Sequence, residues 1–305
     1  MTIPPSSAPG RARRVFRTAL CIFLAAVLSI AVLLVVLELG FRLTKAQTTF
    51  ALTVNTWDPS WGTTHIPGER GFLNCPSYEI DLIINSKGLR DREFPYEQPQ
   101  GTRRILCLGD SFVCGYGVQA EETVAKVLER LLNGEHGNRR WEVLNAGVGS
   151  TGTAHHLAWF VDEGFKYQPD IVVLGFFSAN DFIDDIYSGL YTVDGDSLVR
   201  HEAPCTRERR IQRLVQHLPG FRSLFARSHL LNFVKYRVAA LHMRSLGRAA
   251  EDRAGATGRD TFDDSLTRRL MATLRDRCRE KGCRLAVFNI PTGAGGSPSR
   301  PVGDF

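Results

Sequence analysis

A serine stands at the end of the first strongly apolar strand pattern in the chain. Residues 104–108 are predicted to form a short strand, and Gly109, Asp110 and Ser111 follow it directly. A serine at a strand-to-loop corner beside a glycine can expose its hydroxyl as a nucleophile. We expect Asp110 to shape this corner rather than to act as a catalytic acid. An ordinary turn is the alternative, because a Gly-Asp-Ser match arises readily by chance.

Two later strand patterns end in residues that could supply hydrogen-bond donors. Residues 141–144 lead into a loop of small residues that contains Ser150, and residues 171–177 lead into Asn180. Backbone N–H groups and an amide side chain can stabilise the oxyanion of a tetrahedral intermediate. Ser111, Ser150 and Asn180 are therefore the candidate catalytic residues, provided that the three strands converge.

The elements that must position these residues alternate between strand and helix. Predicted strands cover residues 104–108, 141–144, 171–177 and 284–290, and predicted helices cover residues 123–132, 154–165 and 264–281. This order is typical of a parallel sheet with helices on both faces. The functional loops of such a sheet lie at the carboxyl ends of its strands, where the candidate residues fall.

The three strand-end blocks, in this order, resemble the SGNH (GDSL) hydrolase superfamily across residues 85–291. The segments NSKGLRDREFP and GTRRILCLGDSFVCGYGV are similar to membrane-anchored bacterial members. The resemblance implies a flavodoxin-like α/β/α sandwich and an acyl-ester hydrolase or acyltransferase. It makes Ser111 the nucleophile and first oxyanion donor, and Asn180 the amide donor. Ser150 stands where the family usually has glycine, so Gly149 would serve after a one-residue shift.

The sequence departs from the family pattern at the other end. The family places a catalytic Asp and His two residues apart after the last strand, whereas the last histidine here is His242. A serine without a general base is a poor nucleophile. We expect His155 and His156 to open a helix, facing solvent or lining the cleft rim, rather than to replace the base. A truncated or frameshifted product is expected; residues supplied by another chain and a purely binding protein are the alternatives.

The N-terminal segment predicts a membrane anchor. Residues 20–37 contain no charged side chain, and a helix of that length spans about 27 Å at about 1.5 Å per residue. An arginine-rich segment precedes this run, so residues 1–17 are expected in the cytoplasm, 18–41 in the membrane and the remainder outside the cytoplasm. A cleaved signal peptide is the alternative, and it exports the remainder equally.

The rest of the chain divides into a lead-in, residues 42–102, and a hydrolase-like domain, residues 103–305. Only residues 78–84 of the lead-in alternate like a strand, and the lead-in is expected to pack on the domain or to space it from the membrane. A basic helical insertion is predicted at about 186–262. Its residues 199–259 contain 13 Lys and Arg against 4 Asp and Glu. The apolar positions of its two predicted amphipathic helices are Ile211, Leu214, Val215 and Leu218, then Leu231, Val234, Val238 and Leu241.

The expected partners follow from export and charge. The insertion is predicted to cap the catalytic edge and to meet anionic headgroups or an acidic polysaccharide, with a solvated basic surface as the alternative. The substrate expected is an acyl ester, with O-acetyl groups of a cell-envelope glycan as one candidate. Nucleic acid is disfavoured by the topology. The sequence predicts no oligomeric state.

Composition excludes several other classes of protein. Of the 305 residues, 43% are hydrophobic and 23% are charged, which argues against a disordered, collagen-like or polytopic membrane protein. The seven cysteines have no paired CxxC spacing, so no structural zinc and no cofactor are predicted. Cys107 is expected in the core, and Cys278 and Cys283 could form a disulfide.

Overall fold

The computed structural model describes residues 9–44, 49–51, 54–75, 78–135, 140–195, 197–207, 209–210, 214, 220, 228–234, 237–238 and 264–291. Most of the first predicted amphipathic helix and part of the second lie outside these residues.

The described elements comprise six α-helices and eleven strands. The helices are α1 Pro9–Thr44, α2 Ser111–Cys114, α3 Val124–Glu135, α4 Thr153–Asp162, α5 Asp181–Ser188 and α6 Ser265–Glu280. The strands are β1 Thr49–Ala51, β2 Asn55–Asp58, β3 Gly62–His65, β4 Arg70–Cys75, β5 Tyr78–Ile83, β6 Thr102–Leu108, β7 Arg140–Asn145, β8 Ile171–Phe176, β9 Tyr191–Asp194, β10 Ser197–Arg200 and β11 Arg284–Asn289. The strands and helices predicted between residues 103 and 185 are all present, and so are those predicted after residue 262. Their observed ends are shifted slightly from the predicted ends.

Four parallel strands form the central sheet in the order β11-β8-β6-β7. Leu106 of β6 lies opposite Leu144 of β7 on one side and Val172 of β8 on the other. Counted along the chain, this is the 2-1-3-4 order of flavodoxin-like sheets. The order places the first and third strands side by side, and their connections leave the sheet in opposite directions.

Alternating side chains of the sheet fill two separate cores. Leu106 and Leu108 pack with buried residues of α4 and α6, including Phe160 and Leu274. Ile105 and Cys107 face the opposite side, where Ala125 and Leu128 of α3 cover them. The molecule is therefore a three-layer α/β/α sandwich, as predicted.

The buried cysteines also bear on the sequence predictions. Cys107 is buried as expected, and burial raises the pKa of its thiol to about 12. Cys278 and Cys283 are both free thiols, and Cys283 Sγ donates a hydrogen bond to the Cys278 carbonyl at 3.3 Å. No disulfide joins this pair.

The lead-in contains more structure than its sequence indicates. Four short strands, β1 to β4, precede the single predicted strand, and β4 pairs with β5 in an antiparallel ladder. These strands are three to six residues long and rich in Thr, Asn and Gly, so they carry little alternation. The lead-in packs on the sandwich, where Trp61 Nε1 donates to Asp162 Oδ2 at 2.8 Å.

The beginning of the insertion differs from the helical prediction. After α5 ends, β9 and β10 form a hairpin whose turn includes Gly195 at a φ of +57°. A positive φ is accessible to glycine without a steric cost, which explains the turn. Short helical stretches appear only later, among them residues 229–234.

Helix α1 is long enough and apolar enough to span a membrane, and its apolar side chains are exposed in the described structure. Near its end, Glu38 accepts hydrogen bonds from the backbone N–H groups of His229 and Leu230 at 3.0 and 2.9 Å. Phe41 also packs against Phe233, with ring centroids 4.8 Å apart. The insertion therefore contacts the end of the apolar helix.

Candidate functional site

The turn after β6 is a tight corner that presents Ser111. Asp110 Oδ1 accepts a hydrogen bond from the Phe112 N–H at 2.9 Å, which caps α2, and Ser111 is the first residue of that helix. The predicted turn-shaping role of Asp110 is confirmed. Ser111 is partly exposed, and its hydroxyl makes no hydrogen bond with any residue that the structure describes. The hydroxyl is thus available to a substrate.

The loop after β7 lies directly against this corner. The N–H groups of Ala146 and Val148 each donate at 2.9 Å, to the carbonyls of Cys107 and Gly109 respectively. A Cβ added to Gly147 would lie 2.2 Å from the backbone nitrogen of Cys114. Two backbones meet here with no space for a side chain.

Ser150 has a left-handed backbone conformation, with a φ of +63°. Non-glycine residues adopt this region at a steric cost, so the position suits the glycine that the family resemblance implies. Ser150 lies at the exposed surface of the loop, and within the described ranges its N–H donates no hydrogen bond.

Asn180 reaches the same edge from β8. Its Nδ2 donates to Asp184 Oδ2 at 2.9 Å and lies 3.5 Å from Oδ2 of Asp110, the residue that precedes Ser111. The first bond uses one amide hydrogen, and the second contact is at the limit of hydrogen-bond length. One N–H of Asn180 can therefore turn to a substrate oxygen.

Two aromatic rings adjoin the candidate nucleophile. Phe112 and Phe177 contact each other with ring centroids 4.6 Å apart and planes inclined at 53°. Phe112 follows Ser111 directly and is 49% exposed. The pair gives this edge of the sheet an apolar wall.

Buried carboxyl groups surround the base of the site. Asp181 is fully buried, and burial, reinforced by the charges of Asp110 and Asp185, raises its pKa to about 9. Burial also raises the pKa of Asp185 to about 7, although Thr267 and the Ala154 N–H donate hydrogen bonds to it. Protonated carboxyl groups therefore limit the negative charge near Asn180 at neutral pH.

Of the two positions predicted for His155 and His156, facing solvent or lining the cleft rim, the first is wrong. Both side chains are buried, because α4 begins beneath β3 and the sheet edge, and they line a cavity of about 20 Å³. Burial lowers their pKa values to about 4 and about 3. His65 is likewise buried, with a pKa lowered to about 4, and its Nε2 lies 4.0 Å from Cys114 Sγ. Among the described residues, no histidine hydrogen-bonds to Ser111.

Over the part of the chain that the structure describes, no three His, Cys, Asp or Glu side chains are grouped so that they could hold a metal ion.

Sequence reasoning gave no role to Arg90 and Asp91, which the structure places beneath the site. Arg90 donates to the carbonyls of Cys114 and Gly115, and Asp91 accepts from the Asn145 N–H. Two adjacent, opposite charges in the segment NSKGLRDREFP were the available signal, but their partners lie far along the chain.

Comparisons with known proteins give partial overlaps. No family model and no curated protein matches the chain. A two-domain esterase active on acetylated mannans matches at 22% identity and a TM-score of 0.26, over 29% of this chain and 25% of that one. AlinE4, an SGNH-hydrolase family esterase, matches at 31% identity and a TM-score of 0.24, over 28% of this chain and 45% of that one. The chain thus spans less than half of either protein.

Replacing Gly147 by alanine should separate the two backbones that meet at the site. The new methyl group would clash with the Cys114 backbone, and overpacking of this kind costs about 1–3 kcal/mol of stability. Chemical denaturation of the full chain in detergent measures the change.

Gly134 provides the matched control for this substitution. It lies exposed in the last turn of α3, and a Cβ there meets no atom within 4 Å. Gly134→Ala should therefore stabilise the helix by up to about 1 kcal/mol. Equal changes in the free energy of unfolding for Gly147→Ala and Gly134→Ala would contradict the close contact between Gly147 and Cys114.

Asp181→Asn should stabilise the protein increasingly as pH rises. The folded state retains the Asp181 proton up to a pKa of about 9, whereas the unfolded chain releases it near a pKa of about 4. The contribution of the protonated Asp181 to wild-type stability is therefore present at low pH and is lost as pH rises through this window. Asparagine does not ionise, so the variant does not lose stability in this way. Melting temperatures at pH 5, 6, 7 and 8 should give a widening gap between variant and wild type.

The exposed Asp276 serves as the control for this pH dependence. Asp276 pairs with Arg275 at the surface, and this pairing lowers its pKa, so it is ionised throughout the range. Asp276→Asn should give a gap that is flat between pH 5 and 8. If the difference in melting temperature between Asp181→Asn and wild type were also constant between pH 5 and 8, the buried protonated carboxyl group would be disproved.

Proposed function

We propose that the chain is a membrane-anchored SGNH-type ester hydrolase or acyltransferase with Ser111 as its nucleophile. The observation that carries this proposal is the convergence at one sheet edge. The Ser111 corner contacts the loop after β7 through Gly147, and Asn180 lies 3.5 Å from the carboxylate that caps the corner. This edge lies beside the switch between the first and third strands, where open α/β sheets bind their ligands.

The reaction begins when Ser111 Oγ attacks the carbonyl carbon of the ester. The carbonyl π electrons move to oxygen, and the resulting oxyanion accepts hydrogen bonds from the Ser111 and Ser150 N–H groups and from Asn180 Nδ2. Collapse of the intermediate breaks the bond to the alcohol oxygen, which leaves with the proton released by the Ser111 hydroxyl, and an acyl group stays on Ser111. Water or an acceptor hydroxyl then attacks this acyl group. The bond from the acyl carbon to Ser111 Oγ breaks, the proton of the attacking group passes to Ser111 Oγ, and the acid or the new ester leaves.

Transfer of the Ser111 proton sets the rate of this sequence. Each histidine that the structure describes is buried or makes its contacts with residues other than Ser111. None of them therefore activates Ser111 in this arrangement. Loss of a triad base lowers the rate by several orders of magnitude but leaves the contribution of the oxyanion donors. We therefore expect slow turnover of activated esters, with a faster reaction if a second chain supplies the base.

The substrate class follows from the proposed topology. The arginines before the apolar segment favour a cytoplasmic N-terminus, which puts the sandwich outside the cytoplasm. Acyl esters at this location include O-acetyl groups of envelope glycans, which fit a partly exposed serine beside an apolar wall.

The second candidate function is a membrane-tethered carbohydrate-binding or assembly protein. The observation that favours it is the absence of a base against Ser111 among the described residues. Such a protein would retain the cleft and its hydrogen-bond donors but would not turn over an ester.

Fluorophosphonate labelling separates the two functions. Wild type should be labelled at Ser111, and Ser111→Ala should abolish the labelling. Asn180→Ala should lower the labelling rate by about 10²–10³-fold, the usual effect of removing one oxyanion donor. Mass spectrometry identifies the labelled residue, and the time course gives the rate.

Ser178 provides a control on the same sheet edge, two residues before Asn180. Ser178→Ala should leave the rate within about twofold, because it supplies neither nucleophile nor oxyanion donor. Equal labelling of wild type and Ser111→Ala would exclude the serine nucleophile and leave the binding protein.

A further inference from the structure

We propose that Arg90 and Asp91 are positioning residues that hold the nucleophile corner and the oxyanion loop in register. This inference rests on the proposed function, since it assigns the two residues a role in the same site. We call the pair the Arg90–Asp91 clamp. Neither residue needs to touch the substrate, because each acts through the backbone of a neighbouring loop.

Arg90 holds the corner that carries Ser111. Its side chain is 2% exposed, and its Nη1 donates to the carbonyls of Cys114 and Gly115 at 2.8 and 2.6 Å. Its Nη2 donates to the carbonyls of Val118 and Asp81 at 2.9 and 3.1 Å. Three of these four carbonyls belong to the end of α2 and the turn that follows it. The guanidinium therefore fixes the segment that begins at Ser111.

This function requires an arginine. The planar guanidinium presents its donors in a rigid fork, so one side chain reaches several carbonyls at once. A lysine keeps the charge but concentrates it on one nitrogen, which cannot span carbonyls on both sides of the fork. Substitution by lysine thus removes the geometry while retaining the charge.

Asp91 holds the loop after β7. Its Oδ2 accepts a hydrogen bond from the Asn145 N–H at 2.9 Å, and its Oδ1 pairs with Lys126 Nζ at 2.8 Å. Asn145 Oδ1 in turn accepts from the Gly147 N–H at 3.0 Å. The chain of bonds runs from Asp91 to the glycine that contacts Cys114. Since Arg90 and Asp91 are adjacent, one short segment secures both sides of this contact.

The segment that carries the clamp is itself fixed. Asn85 Oδ1 accepts from the N–H groups of Lys87 and Leu89, both at 2.9 Å, and Asn85 Nδ2 donates to the Arg92 carbonyl at 2.9 Å. Gly88 adopts a φ of +85°, which the tight loop needs and which glycine provides without a steric cost. The loop is therefore preorganised before any substrate binds.

Positioning of this kind has a large effect on rate. A displacement of about 1 Å at a reacting group lowers the rate by about 100-fold. Ser111 and its N–H lie on the part held by Arg90, whereas the N–H of Ser150 lies on the part held through Asp91. Loosening either part misaligns the nucleophile against its oxyanion donors.

The chain offers a matched control in Arg104. Arg104 is 1% exposed and donates to the carbonyls of Tyr96, Tyr167 and Glu97, as well as to Glu142. It lies near the start of β6, whereas the Ser111 corner follows the end of that strand. Arg104→Lys therefore removes a comparable set of buried bonds at the opposite end of the sheet.

The test compares Arg90→Lys, Arg104→Lys and wild type as full chains in detergent, well below their melting temperatures. Hydrogen exchange measured by mass spectrometry reports on the backbone amides of residues 111–118 and 145–148. Fluorophosphonate labelling, expressed per folded molecule, reports on Ser111. Exchange does not depend on reactivity, so the clamp is measured separately from the proposed function.

Arg90→Lys should accelerate exchange in residues 111–118 at least about tenfold and lower the labelling rate by a similar factor. Arg104→Lys should leave both within about twofold. Asp91→Ala should accelerate exchange in residues 145–148, because it removes the acceptor of the Asn145 N–H.

Unchanged exchange in residues 111–118 of Arg90→Lys, or an equal acceleration by Arg104→Lys, would overturn the clamp. Expected exchange results with no labelling of wild type would support the clamp and would contradict the serine nucleophile. Lower labelling by Arg90→Lys at unchanged exchange would also overturn the clamp, since the effect would not pass through the backbone.

Discussion

The contact between Gly147 and the backbone of Cys114 is the constraint on which the site depends. A methyl group at Gly147 would lie 2.2 Å from the Cys114 nitrogen, so the two backbones pack without side chains between them. Backbone hydrogen bonds from Ala146 to Cys107 at the end of β6, and from Val148 to Gly109 in the turn after it, also fix this contact. The free hydroxyl of Ser111 and the left-handed Ser150 are consequently carried by one rigid unit. Rigid donors are effective because they need no reorganisation when charge develops on a substrate.

The sheet supplies the third part of the site through its strand order. The order β11-β8-β6-β7 puts β8 beside β6, so Asn180 emerges next to the corner that carries Ser111. Apolar residues fill both faces of these strands, which leaves polar chemistry to their ends. Burial then determines the charge there, because Asp181 holds a proton up to a pKa of about 9. The strand order and the protonation of the buried carboxyl group thus both determine the chemistry of the sheet edge that carries Ser111 and Asn180.

The sequence was informative where burial produces a simple pattern. Strand β8 is nearly all apolar, and its end at Phe176 was predicted within one residue. The lead-in strands were missed because three- to six-residue hairpin strands owe their pairing to tertiary contacts rather than to alternation. His155 and His156 were misplaced because their burial depends on β3 lying over α4, which the local pattern does not encode. The partners of Arg90 are the backbone carbonyls of residues 81, 114, 115 and 118, and carbonyls carry no sequence signal.

The convergence of the three strand ends is most directly tested by a crystal structure of the chain after reaction with a fluorophosphonate. We expect phosphorus bonded to Ser111 Oγ, with the phosphoryl oxygen at about 2.7–3.1 Å from the Ser111 backbone nitrogen and from Asn180 Nδ2. We also expect the adduct to leave the Gly147–Cys114 contact in place. A phosphoryl oxygen directed to solvent, with Asn180 Nδ2 still beside Asp184 and Asp110, would rule out the convergence of the three strand ends on one substrate atom.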